Sequence, residues 1–111
     1  MKIIVTTSNR YLHILPMFCH LFNKFFEGGS AEIVGYNPPP YNLPLNFNFV
    51  SLGKQADDQK SFTRDLRKYF AKQDKFFVWM MEDSFLRKPV DFKSLNFLQC
   101  IGYCLPFSFL E

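Results

Sequence analysis

Phe76-Phe77-Val78-Trp79-Met80-Met81-Glu82-Asp83 is the stretch on which the fold of this chain turns. An apolar run closes abruptly on two adjacent carboxylates. Its length and its Phe, Val and Trp content predict a strand buried on both faces. Two acids at the C-terminal end of such a strand stand where open parallel α/β sheets bind their ligands. Hard oxygen donors there suit a divalent cation set against a phosphate-bearing ligand.

The segments on either side supply helices and further strands. Ser61 is a helix cap candidate, and the helix it opens is expected to run to about Gln73, with Phe62, Leu66, Tyr69 and Phe70 on its apolar face. Lys68 and Lys72 suit the negative end of that helix. Before it, Phe47 to Leu52 reads as a strand ending at Gly53, and Glu32 to Tyr36 as another. Asn37-Pro38-Pro39-Pro40-Tyr41-Asn42-Leu43-Pro44 is a stiff extended connector, because its prolines lack donors and restrict their neighbours. Lys2 to Thr6 is the first strand. From Tyr11 to Phe26 apolar residues recur at Leu12, Leu15, Cys19, Phe22 and Phe26, which is helical spacing. Pro16 predicts a kink or a fresh start near Leu15. Gly28 or Gly29 suits a left-handed cap at the end of this helix. After Asp83 the chain is expected to run extended to Val90, and Asp91 caps a last helix from about Phe92 to Tyr103.

Strands alternating with helices predict a three-layer α/β/α sandwich with a mainly parallel sheet of about four strands. The first strand is placed centrally, next to the fourth. The loops after Thr6, Gly53 and Met81 then gather at one edge.

Composition narrows the functional classes. The chain has 111 residues, a single-domain length, with 48% apolar residues and fifteen Phe. The net charge is only +3, and basic residues alternate with acids, as in Arg64-Asp65-Leu66-Arg67-Lys68. No concentrated basic stripe points to nucleic acid. No apolar run has the length of a membrane span. The N-terminal Ile3-Ile4-Val5 is too short for a secretory signal, so the expected compartment is cytoplasmic. Three cysteines make no disulfide framework, and Cys100 and Cys104 lie one helical turn apart. Cys19 reads as a small core residue without a base to activate it, Trp79 as core, and His13 and His20 as surface histidines.

The pieces occur in a recognisable order. Thr6-Thr7-Ser8-Asn9-Arg10-Tyr11 precedes a helix carrying Phe18-Cys19-His20-Leu21-Phe22-Asn23-Lys24-Phe25-Phe26. Then come Ile33-Val34-Gly35-Tyr36, Phe49-Val50-Ser51-Leu52-Gly53, Ala56-Asp57-Asp58 and Met81-Glu82-Asp83-Ser84-Phe85-Leu86. This order resembles the nucleotide-sugar-binding half of glycosyltransferases of the GT-A fold, over nearly the whole chain up to about Tyr103. The resemblance implies that Thr6, Thr7, Ser8 and Arg10 face the base, ribose or phosphates of a nucleotide sugar. It implies that Asp57 or Asp58 faces the base or ribose. Glu82 and Asp83 take the place of the acids that hold Mn²⁺ or Mg²⁺ on the diphosphate. The usual motif there is Asp-any-Asp, from which Glu82-Asp83-Ser84 departs. The family's acceptor half and catalytic base lie further along than this chain extends. The expectation is therefore one incomplete nucleotide-sugar-binding domain over residues 1–111, with no catalytic residue assigned.

Simpler readings stand beside these. Glu82 and Asp83 also fit a solvated strand end or a helix cap. Asp57 and Asp58 fit solvated acids near a helix N-terminus. Ser8 or Asn9 fits helix capping, whereas the guanidinium of Arg10 is suited to gripping phosphate. A non-catalytic α/β interaction domain that self-associates through exposed apolar surface, with Phe107, Phe109 and Leu110 contributing, is the alternative function. A phospho-receiver domain ranks last, because no acid follows Val5.

Overall fold

The computed structural model describes residues 2–56 and 60–89. Four strands, β1 (Lys2–Thr6), β2 (Ala31–Gly35), β3 (Phe47–Ser51) and β4 (Phe77–Met81), form one sheet in the order β3-β2-β1-β4. Every neighbouring pair is parallel. Among the described residues, two helices, α1 (Leu15–Phe25) and α2 (Ser61–Ala71), flank it in a three-layer α/β/α arrangement.

Alternation along the strands separates two cores. Ile3, Val5, Ile33 and Phe47 face α1, where they meet Leu15, Phe18, Cys19, Phe22 and Phe26. Ile4 and Val34 face the other way and meet Leu66 and Phe70 of α2. The first core is a phenylalanine stack: Phe22 lies with its ring centroid 5.2 Å from Phe26 and 5.2 Å from Phe47. Both faces of β1 and β2 are thus covered, which is why these strands carry unbroken apolar runs.

The first helical segment divides where Pro16 requires. Asn9–Ile14 is a 3₁₀ turn, interrupted at Tyr11 (φ −116°), and α1 begins afresh at Leu15 with the proline in its first turn. There the missing N–H is one that would lack a helical partner in any case. Gly28 ends the segment in the left-handed conformation (φ +75°) expected of a glycine past a helix C-terminus. Tyr41 of the proline-rich connector donates its hydroxyl to the Leu12 carbonyl and ties that connector to the 3₁₀ turn.

Two expectations are corrected. Ser61 does not cap α2. Lys60 precedes the helix without a side-chain cap, and Ser61 is buried inside its first turn. More consequentially, β4 is not buried on both faces. It lies at an edge of the described sheet, with Trp79 37% and Met81 49% exposed, so Trp79 is not a core residue. An apolar strand signals its affinity for cover, and the structure shows how much cover the described residues supply. The expected helix from Phe92 to Tyr103, its cap Asp91, Asp57 and Asp58, and the terminal Phe107, Phe109 and Leu110 all lie outside the described residues.

Candidate functional site

In an all-parallel sheet every strand ends on the same edge. Here that edge collects Thr7, Tyr36, Leu52 and Glu82, each following its strand directly. The strand order also reverses beside β1. The chain steps outward from β1 to β2 to β3 and then returns to place β4 on the other flank of β1. The crevice at such a reversal is where ligands of open α/β sheets bind. Thr6 stands opposite Met81 in the β1–β4 register, so the loops that begin at Thr7 and Glu82 leave neighbouring strand ends.

The first of these loops is tightly held. Thr7 extends the sheet by one further bond, from its N–H to the Val34 carbonyl at 2.9 Å, and is fully buried. It packs on Gly35, where a Cβ would lie 2.9 Å from Thr7 Cγ2 and 3.0 Å from the Thr7 carbonyl oxygen. Glycine at the end of β2 is therefore required by the close approach of this loop. Thr6 is also buried, and its Oγ1 accepts a hydrogen bond from Trp79 Nε1 at 2.9 Å. That hydroxyl braces β4 against β1. Ser8 precedes the 3₁₀ turn, accepting the Tyr11 N–H through its carbonyl, with no cap bond from its side chain. Arg10 is exposed, its guanidinium 5.9 Å from the Tyr11 ring centroid. Asn9 accepts the backbone N–H of Asn37 at 2.9 Å, joining the loops after β1 and β2.

The second loop is a turn closed by Ser84 N–H to the Met81 carbonyl at 2.9 Å. It separates the two acids. Asp83 is exposed, whereas Glu82 is only 7% exposed. Burial raises the Glu82 carboxyl above its ordinary value, its own backbone N–H opposes this, and the charge of Asp83 adds to it. A buried carboxylate beside a second carboxylate gains by taking up positive charge, whether a proton or a cation. Two carboxylates form a donor set that Mg²⁺ or Mn²⁺ accepts when waters and ligand phosphates complete the shell. Among the described residues no group of three or more His, Cys, Asp or Glu converges on one point.

The rest of this edge is built by contacts that single residues do not announce. Tyr36 donates its hydroxyl to Asp65 of α2 at 2.6 Å, and Ser51 donates to the Tyr36 carbonyl at 2.7 Å. Burial, then the Asp65 hydrogen bond and charge, push the Tyr36 phenol up, with Ser61 and Arg64 opposing. A buried phenol needs a partner, and that is the one signal in the sequence that could have pointed to Tyr36. The opposite edge holds a separate cavity of about 300 Å³ bordered by Lys2, Glu32, Asn46 and Phe47. Glu32 pairs there with Lys2 at 3.4 Å.

No family model matches this sequence, and no curated protein is significantly similar to it. The fold and the edge described above define the class: a small α/β domain with a four-stranded parallel sheet of Rossmann-like kind, compatible with nucleotide binding. No helix among the described residues is long and apolar enough to cross a membrane.

Proposed function

We propose that this domain binds a nucleoside diphosphate sugar together with a divalent cation at the C-terminal edge of its sheet. The observation that carries the reading is the pair Glu82 and Asp83, set directly after β4 at the point where the strand order reverses. Glu82 and Asp83 hold the cation, and Arg10 and the Thr7–Ser8 backbone meet the diphosphate from the loop after β1. Asp57 or Asp58 meets the base or ribose. Thr6, whose hydroxyl is engaged by Trp79, serves this edge by fixing β4 against β1. A bound Mn²⁺ or Mg²⁺ supplies neutralisation of the diphosphate charge, as in glycosyltransferases of the GT-A fold. The chain's own acids position that charge, and its guanidinium shares the phosphate oxygens.

The test is Mn²⁺ uptake followed by electron paramagnetic resonance, with and without a uridine or guanosine diphosphate sugar. Uptake that rises with the nucleotide sugar and is lost in Glu82→Gln/Asp83→Asn supports the reading. Uptake unchanged by that double substitution removes it.

A second reading has its own observation. Phe76, Trp79, Met81 and Phe85 are all exposed along β4 and its flanks. That strip favours an interaction domain that self-associates.

A further inference from the structure

The segment that carries Arg10 has little of its own to hold it. Asn9–Ile14 is a 3₁₀ segment of 6 residues, interrupted at Tyr11 (φ −116°), and none of its residues is fully buried. Runs of 3₁₀ geometry this long are uncommon, because their hydrogen bonds are poorly aligned. Two bonds from the proline-rich connector reach it. The Asn37 N–H donates to Asn9 Oδ1 at 2.9 Å, and the Tyr41 hydroxyl donates to the Leu12 carbonyl. Arg10 lies between the two acceptors, and Pro38-Pro39-Pro40 lies between the two donors. Proline fixes its own φ, so the spacing of the donors is largely set before the bonds form. Tyr41 and Leu43 also pack against the core on the α1 side, as Leu12 does.

We infer that this connector is a strap that holds Arg10 in place for an incoming diphosphate, with Asn9 and Tyr41 as its positioning residues. This rests on the nucleotide-sugar reading above and adds to it two residues that act through Arg10. A guanidinium on a loose loop must be ordered when it grips phosphate, and that ordering subtracts from affinity. With Asn9 and Leu12 both tied down, the backbone on either side of Arg10 is ordered beforehand. Only the side chain is left to settle. Glu82 and Asp83 stand on a different loop, after β4, and neither strap bond involves them. The strap therefore acts on the grip of the phosphate and not on that of the cation.

Two measurements on the full chain test this, with Asn9→Ala and Tyr41→Phe as the variants. Asn9 is exposed, so its truncation removes little packing. Tyr41→Phe keeps the ring against the core and removes only the hydroxyl. The first measurement is the rate of trypsin cleavage after Arg10, which is expected to rise in both variants. The second is calorimetric titration with Mn²⁺ and a uridine or guanosine diphosphate sugar. Affinity for the nucleotide sugar is expected to fall about fivefold in each variant, the effect of one net hydrogen bond. Mn²⁺ uptake without nucleotide is expected to stay at the wild-type level. In an Arg10→Gln background neither substitution is expected to cost further affinity, because the group it positions is gone. Cleavage at the wild-type rate in both variants overturns the strap. Faster cleavage with unchanged affinity, or the same loss when Arg10 is already replaced, overturns the positioning of Arg10. A folded wild type that binds no nucleotide sugar removes the nucleotide-sugar reading and this role with it, while the cleavage rates report the tie between connector and loop separately.

Discussion

Glu82 takes up a proton more readily in the folded protein than in the unfolded chain, because burial and the neighbouring Asp83 charge outweigh its backbone N–H. The folded state then binds more protons over the interval between the ordinary and the raised value. Stability from this group is full at acid pH and is lost as pH rises through that interval. Glu82→Gln is therefore expected to be more stable than wild type at neutral pH without divalent cations. The gain should vanish on acidification, as urea midpoints across the pH range will show. Cys19 is a second residue-scale case. Burial pushes its thiol up to about 11, so little thiolate is available. Alkylation of the Cys19 peptide, mapped by mass spectrometry, should be roughly a hundredfold slower in the native protein than in urea. Tyr36 is a third. Tyr36→Phe removes the 2.6 Å bond to Asp65 and should cost about 1.5–3 kcal/mol in a denaturant titration.

Among elements, the strands and helices were legible because their apolar periods are strong. Pro16 placed the start of α1, and Gly28 its end, through backbone chemistry that any context preserves. Strand β4 was legible as a strand but not as the edge of the described sheet. Burial on both faces is a property of neighbours, and no residue in Phe77–Met81 encodes how many it has. The role of Gly35 was hidden for a similar reason: its requirement comes from Thr7, which is brought against it only by the parallel pairing of β1 and β2. Gly35→Ala is expected to displace the loop after β1 and to cost about 1–3 kcal/mol by overpacking. A thermal melt measures the cost. A wild-type melting curve would show that the loop moves freely.

For the whole molecule, alternation predicted a mainly parallel sheet with β1 central and next to β4, and the structure adds β2 on the other side of β1 with β3 beyond it. That order alone brings Thr7 and Glu82 to neighbouring strand ends, although they lie far apart in the sequence. The sequence signal for the candidate site was partial. Arg10, Glu82 and Asp83 could be singled out by chemistry and position. The engagement of the Thr6 hydroxyl by Trp79 could not, since it depends on a register that joins the first strand to the last. The central claim is that this edge holds a nucleoside diphosphate sugar through a cation on two acids. Its most direct test is a calorimetric titration with uridine and guanosine diphosphate sugars, with and without Mn²⁺, on wild type and on Glu82→Ala/Asp83→Ala. The account predicts binding that requires Mn²⁺ and disappears in the double variant. A folded wild-type protein that binds none of these ligands, with or without the cation, would contradict it.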